Sequence, residues 1–240
     1  SLKNEKIKYL RKQKDNKFLL FLDNPKTIRE AIAAGFGLQE LLVSQTNTKL
    51  QAEFSAHNPI ITTDAVIAAL SDTKTPQGII AVFLVPKRKL TAPKTKFLVL
   101  DTVQDAGNTG TLLRTAKGAG FNTVFMLDCA HITNPKTVRS SMGAIFSLNI
   151  HEMKKEEFMA FAKEIALPLI TADMDGESVF ETNLPKEFGL VLGNEGQGVS
   201  KELSALCTKS VAIPMQNDLE SLNVAVAGGI IMFETIRRNL

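Results

Sequence analysis

Apolar and polar positions along this chain follow two rhythms. Short continuous apolar runs read as buried strands, and between them apolar residues recur at helical spacing. The first run is KFLLFL at 17–22. Asn24-Pro25 then reads as the cap and first residue of a helix that passes through Ile28, Ala31 and Ile32 and stops at Gly35. A strand at 38–44, a helix at 48–57, a short strand at Ile60-Ile61, a helix opened by Thr63-Asp64 and a strand at 77–85 complete a first α/β unit. The stretch PKRKLTAPKT breaks both rhythms and reads as a linker. The predicted division is therefore residues 1–86, a linker at 87–95, and residues 96–240.

The second unit repeats the alternation. Strands are predicted at 97–100 (ending on Asp101), 124–127, 148–150, 168–171, 188–192 and 210–213. Helices are predicted from Gly110 to a stop at Gly120, near Pro135, at 154–166, after Ser200, and from about Leu222 to Arg238. Strands alternating with helices argue an α/β fold with a mostly parallel sheet covered on both faces.

Composition narrows the function classes. The chain has 240 residues, 44% hydrophobic and 22% charged, which suffices for a buried core. Cys129 and Cys207 lie far apart without a C-x-x-C, and His57, His131 and His151 stand singly, so no metal site is predicted. No apolar run approaches a membrane span and the N-terminus lacks a secretion-signal core, which reads as a cytoplasmic protein without a membrane partner. The net charge is only +3, yet basic residues cluster at 1–17 and again at 86–96. Two such clusters in one half favour a polyanionic partner whose phosphates supply affinity.

Candidate chemistry sits where strands end. FGLVLGNEGQGVS at 188–200 stops an apolar strand at Gly193 and follows it with a glycine-rich turn carrying Glu195. Its spacing is neither the dinucleotide fingerprint nor a P-loop. The turn after the 97–100 strand holds Asn108, with Arg114 one turn into the following helix and able to lean back over it; the turn before the last helix holds Ser221 and Asn223. An Asn, an Arg, a Glu and a Ser-x-Asn beside glycine-rich backbone serve a nucleophilic hydrolase poorly, but suit group transfer from an activated donor, which needs positioning and charge complementarity.

These residues carry a resemblance. DTVQDAGNTGTLLRTAKGAG, LVLGNEGQGVS and IPMQNDLESLNVAVAGGIIMFE resemble, in order, the three motifs of the SpoU (TrmH-like) branch of the SPOUT superfamily of RNA methyltransferases. NPKTVRSSMGAIF resembles the intervening P-K-x-x-R-x-S-x-G segment, and the first unit resembles the ribosomal-protein-like RNA-binding domain often fused ahead of it. The resemblance covers roughly residues 95–240. It implies methylation of a ribose 2′-hydroxyl in RNA with S-adenosylmethionine as donor, a deep trefoil knot in the C-terminal α/β domain, and a homodimer whose site borrows from both subunits. By family position, the cofactor lies on Leu192, Gly193, Ile213, Met215 and Leu222, and the catalytic and substrate-facing set is Asn108, Arg114, Glu195, Ser221 and Asn223. Residues 216–220 depart from the glycine often found ahead of S-L-N. The final helix, with Val224, Val226, Ile230, Ile231 and Phe233, is implied to form the dimer interface.

A separate recognition unit, and no long basic C-terminal extension, favour ribosomal RNA. The alternatives are a transfer RNA 2′-O-methyltransferase of the same fold, or a non-catalytic RNA-binding protein with a decayed pocket. The modified nucleotide is not encoded in any short motif, because single-stranded RNA is selected by local shape and stacking.

Overall fold

A computed structural model describes residues 2–216 and 221–238, so of the 216–220 departure only Gln216 is described. The chain divides into two compact units, Ser1–Lys87 and Arg88–Leu240.

In the first unit the basic N-terminal segment is helical: α1 (Glu5–Lys12) is capped by Asn4 and buries Ile7 and Leu10. It is followed by β1 (Leu19–Leu22), α2 (Pro25–Ala33), β2 (Gly37–Ser44), α3 (Thr48–Glu53), β3 (Ile60–Thr62), α4 (Asp64–Leu70) and β4 (Ile79–Leu84). As the Asn-Pro pair predicts, the Asn24 side chain accepts from Lys26 N and Thr27 N and Pro25 opens α2. The strands form one sheet in the order β1-β4-β2-β3, in which only β2 and β3 run parallel. Ile7 and Leu10 of α1 pack with Val66, Ile67 and Leu70 of α4 over one face of that sheet.

The second unit contains β5 (Phe97–Asp101), α5 (Ala106–Gly118), β6 (Thr123–Leu127), α6 (Pro135–Ser141), β7 (Asn149–Met153), α7 (Lys155–Phe161), β8 (Leu169–Ser178), β9 (Gly189–Leu192), α8 (Lys201–Ser204), β10 (Lys209–Ala212) and α9 (Val224–Arg237). The six strands stand in the order β10-β8-β9-β5-β6-β7 and every neighbouring pair is parallel. The period-2 alternation separates two cores. Phe97, Val99, Phe125, Leu127 and Val191 meet Phe158 and Phe161 of α7 and Leu203 of α8. On the opposite face α9 lies so close that a Cβ on Gly228 would fall 2.6 Å from Leu112 of α5 and from Leu192 of β9. From β5 the chain first lays strands to one side (β6, β7) and later to the other (β9, β8, β10). The β5/β9 boundary is therefore the switch point of the sheet, where parallel α/β folds hold ligands.

Several elements differ from the sequence reading: the helix predicted at 48–57 is α-helical only over Thr48–Glu53, and β7 runs on to Met153. Helix α5 begins at Ala106 rather than Gly110, because Asp105 accepts from Asn108 N at 2.8 Å and caps it early. Helix α7 is shorter than 154–166 and ends its α-helical part at Phe161. Strand β8 does not stop at 171 but continues to Ser178, interrupted by an irregularity in its pairing with β10.

Candidate active site

The residues singled out above come from α5, from the turns that follow β9 and β10, and from the start of α9. β5 ends on Asp101, a buried carboxylate that accepts from Ser200 N at 2.8 Å, from the Thr102 hydroxyl at 2.9 Å and from Lys155 Nζ at 2.9 Å. Burial alone would raise its carboxyl, but the hydrogen bonds from Ser200 and Lys155 hold it below the ordinary aspartate value. Thr102 takes φ of 60°, a left-handed conformation that costs a β-branched residue energy and persists only where its surroundings impose it. Here its N–H donates to Leu127 O and its carbonyl accepts from Asn194 Nδ2 at 2.9 Å. Asn194 Oδ1 in turn accepts from Gly196 N and Gln197 N. The 193–200 turn is thus tied to the end of β5 at both its ends, through Asn194 and through Ser200. Gly193 is required inside it, since a Cβ there would lie 2.1 Å from Gly198 C.

That double anchorage places Glu195 beside the start of α5. Its carboxylate accepts from Asn108 Nδ2 at 3.1 Å, Asp105 N at 3.3 Å and Gln104 N at 3.5 Å. Burial would raise this carboxyl too, yet the Asn108 and backbone hydrogen bonds prevail and lower it, so Glu195 is ionised at neutral pH. Asn108 Oδ1 accepts from Asn223 Nδ2 at 3.0 Å, and Asn223 Oδ1 caps α9 by accepting from Ala225 N and Val226 N. Glu195, Asn108 and Asn223, from three separated stretches of sequence, form one continuous relay.

Beside the relay opens a cleft of about 680 Å³, within the range of small-molecule sites. Leu192, Gly193, Ile213, Met215 and Leu222 all line it, together with Glu195 and Ser221. Asn108 and Asn223 do not line it. Arg114 is placed otherwise than the spacing suggests. With α5 starting at Ala106, Asn108 lies inside the helix, and six residues put Arg114 about 9 Å further along and about 120° around the axis. It is exposed, and no hydrogen bond joins it to Asn108 among the described residues. Sequence reasoning also missed Asp101, Thr102 and Asn194, which hold the turn, and Asp173 and Met174 of β8, which line the cleft. For Asp101 the available signal was a carboxylate directly ending a fully apolar strand; a left-handed threonine leaves none.

Among the described residues no group of His, Cys, Asp and Glu is arranged to hold a metal ion. Burial pushes the Cys129 thiol up to about 12 and the Cys207 thiol up to about 11, so neither is a nucleophile near neutrality. No described helix is long and apolar enough to cross a membrane.

This arrangement defines a class: a parallel α/β domain with a small-molecule cleft at the carboxyl ends of β8, β9 and β10, bordered by a relay of amides on an ionised carboxylate. Residues 95–233 match the model of the SpoU rRNA Methylase family, and residues 4–81 match an MRM3-like substrate binding domain. The chain belongs to the SpoU rRNA Methylase family. It is 31% identical over 241 residues to the 23S rRNA (guanosine(2553)-2′-O)-methyltransferase RlmP of Bacillus subtilis (strain 168), covering 97% of this chain and 96% of that protein. Its fold matches an AdoMet-bound rRNA methyltransferase from Sinorhizobium meliloti with a TM-score of 0.87 at 25% identity, over 100% of this chain and 97% of the other. A solved RNA 2′-O ribose methyltransferase matches with a TM-score of 0.83 at 28% identity, over 100% and 98% of the two chains.

Proposed function

We propose that this protein methylates a ribose 2′-hydroxyl in ribosomal RNA, with S-adenosylmethionine as donor. The observation that carries the reading is the relay joining Glu195, Asn108 and Asn223 across three family motifs, at the edge of a cleft lined by the five residues to which the family assigns its cofactor. The cleft also suits the donor's charge. Its described lining contains no Lys, Arg or His, and its charged side chains are Asp173 and Glu195. Such a cleft offers nothing to neutralise a phosphate but favours a cation. S-adenosylmethionine supplies a methyl group already activated by a sulfonium, so no metal is required.

The protein's own contribution is then placement. Leu192, Gly193, Ile213, Met215 and Leu222 hold the donor along the cleft, and Ser221 lies beside it. Glu195 fixes the first turn of α5, while Asn108 and Asn223 lock that turn to the start of α9. Arg114 stays protonated, so it acts as a cation and not as a base. It binds the adjoining phosphate or stabilises developing alkoxide charge. Exposed about two turns into α5, it serves the site of a second copy, in a homodimer formed through the exposed side of α9, where Val226 and Phe233 are each about half exposed. The knotted path of the C-terminal segment is part of the same proposal, as is residence in the cytoplasm with the ribosomes. The first unit presents the RNA.

The test is mass mapping of ribosomal RNA from cells with and without the protein. One 2′-O-methyl group is expected to vanish and to return with the wild-type chain, but not with Glu195→Ala. If every ribosomal methyl group survives its loss, the assignment to ribosomal RNA is wrong.

A further inference from the structure

The irregularity in β8 has a definite form. Ile170 and Thr171 stand opposite Lys209 and Ser210 of β10, but the next pair along is Glu177 with Val211. Residues 172–176 therefore leave the β10 ladder as an arch. The arch closes at Gly176, where a Cβ would lie 2.6 Å from both N and C of Val211, an approach that only glycine permits. Ala172, Asp173, Met174 and Gly176 turn toward the cleft and line it. Of the two carboxylates in that lining, Glu195 is already engaged by Gln104, Asp105 and Asn108. Among the described residues Asp173 accepts a single hydrogen bond, from Asp175 N at 3.1 Å, which leaves most of its acceptor capacity open.

We propose that Asp173, carried on this arch, reads the positive charge of the methyl donor and makes the cleft selective for cationic ligands. The inference rests on the methyl-donor reading of the cleft. The donor has two cationic groups, its sulfonium and its amino group; the demethylated product, S-adenosylhomocysteine, keeps only the amino group. A carboxylate facing the sulfonium favours donor over product and so helps to clear the cleft after transfer. One facing the amino group holds both ligands.

Calorimetry with S-adenosylmethionine and S-adenosylhomocysteine, on the full chain and on Asp173→Asn, tests this. Asparagine keeps the local turn to Asp175 N, so the thermal midpoint is expected to stay at the wild-type value. The donor Kd is expected to rise about fivefold to tenfold, and further in Asp173→Lys. An unchanged product Kd identifies the sulfonium as the group read, and a parallel rise identifies the amino group. Donor binding at wild-type strength in both variants would overturn the proposal. A wild-type chain that binds neither ligand would overturn the donor reading itself, a result distinct from loss in the variants alone.

Discussion

Asn108 carries one amide with two obligations: its nitrogen donates to Glu195 and its oxygen accepts from Asn223. The relay therefore fails as a whole when any member is removed. Asn108→Ala and Asn223→Ala are each expected to lower kcat/KM by about tenfold to a hundredfold, and the double variant to fall little below the worse single one. Multiplicative losses in a double-mutant cycle would show that the two side chains act separately. At this scale the sequence was informative about residue type only jointly: an Asn, a Glu or a Ser-x-Asn after one apolar strand suits a cap or a turn, but the three together mark a polar site. It was less informative about Arg114, since how far along the helix that residue falls depends on where α5 starts. The cap proved to be Asp105, ahead of two glycines that ordinarily disfavour a helix. Asp101 and Thr102 anchor the Glu195 turn; a carboxylate ending an apolar strand hints at the first, whereas the left-handed backbone of the second is announced by no local pattern.

Helices and strands were legible wherever burial was one-sided, and least so where backbone met backbone. Gly110 reads as a helix boundary, yet it lies inside α5, and it is glycine because α6 passes over it; a Cβ there would sit 2.4 Å from Thr137 O. The A-D-M-D-G stretch reads as the end of a strand, yet β10 resumes pairing beyond it. Helix α9 is held at its far end by a feature of charge. Glu234, buried, accepts from Nε and Nη2 of Arg237 and from Nε of Arg238, and Arg238 also donates to the carbonyls of Val179 and Thr182. The hydrogen bonds from Arg237 and Arg238 lower the Glu234 carboxyl to about 2. A carboxyl depressed on folding contributes stability that is fully present above the ordinary glutamate value and is lost as pH falls from there toward about 2. The thermal midpoint of Glu234→Gln is therefore expected to lie below wild type at pH 7, with the difference narrowing in that acid window. A difference that is constant with pH would assign the stabilisation to packing instead.

For the whole molecule, the division into two α/β units and the parallel sheet of the second were readable from alternation alone, whereas the strand order was not, because β8, β9 and β10 fall on the far side of β5 by a path that periodicity does not encode. Assembly is the property to test at this scale. Val226 and Phe233 lie seven residues apart on one side of α9, 51% and 50% exposed. Sedimentation at micromolar concentration is expected to show a dimer for the wild-type chain and a monomer for Phe233→Glu, with methyl transfer lost in the monomer while calorimetric donor binding persists. A wild-type monomer that methylates RNA at full rate would refute the shared site. The capping of α9 by Asn223 bears on how such enzymes diversify. One side chain starts that helix and is bonded to α5, so neither helix can be re-aimed at a new nucleotide without disturbing the other. A change of target is then easier to make in the Ser1–Lys87 unit or in the arch at 172–176, which carry no part of that bond, than in the pair of helix starts.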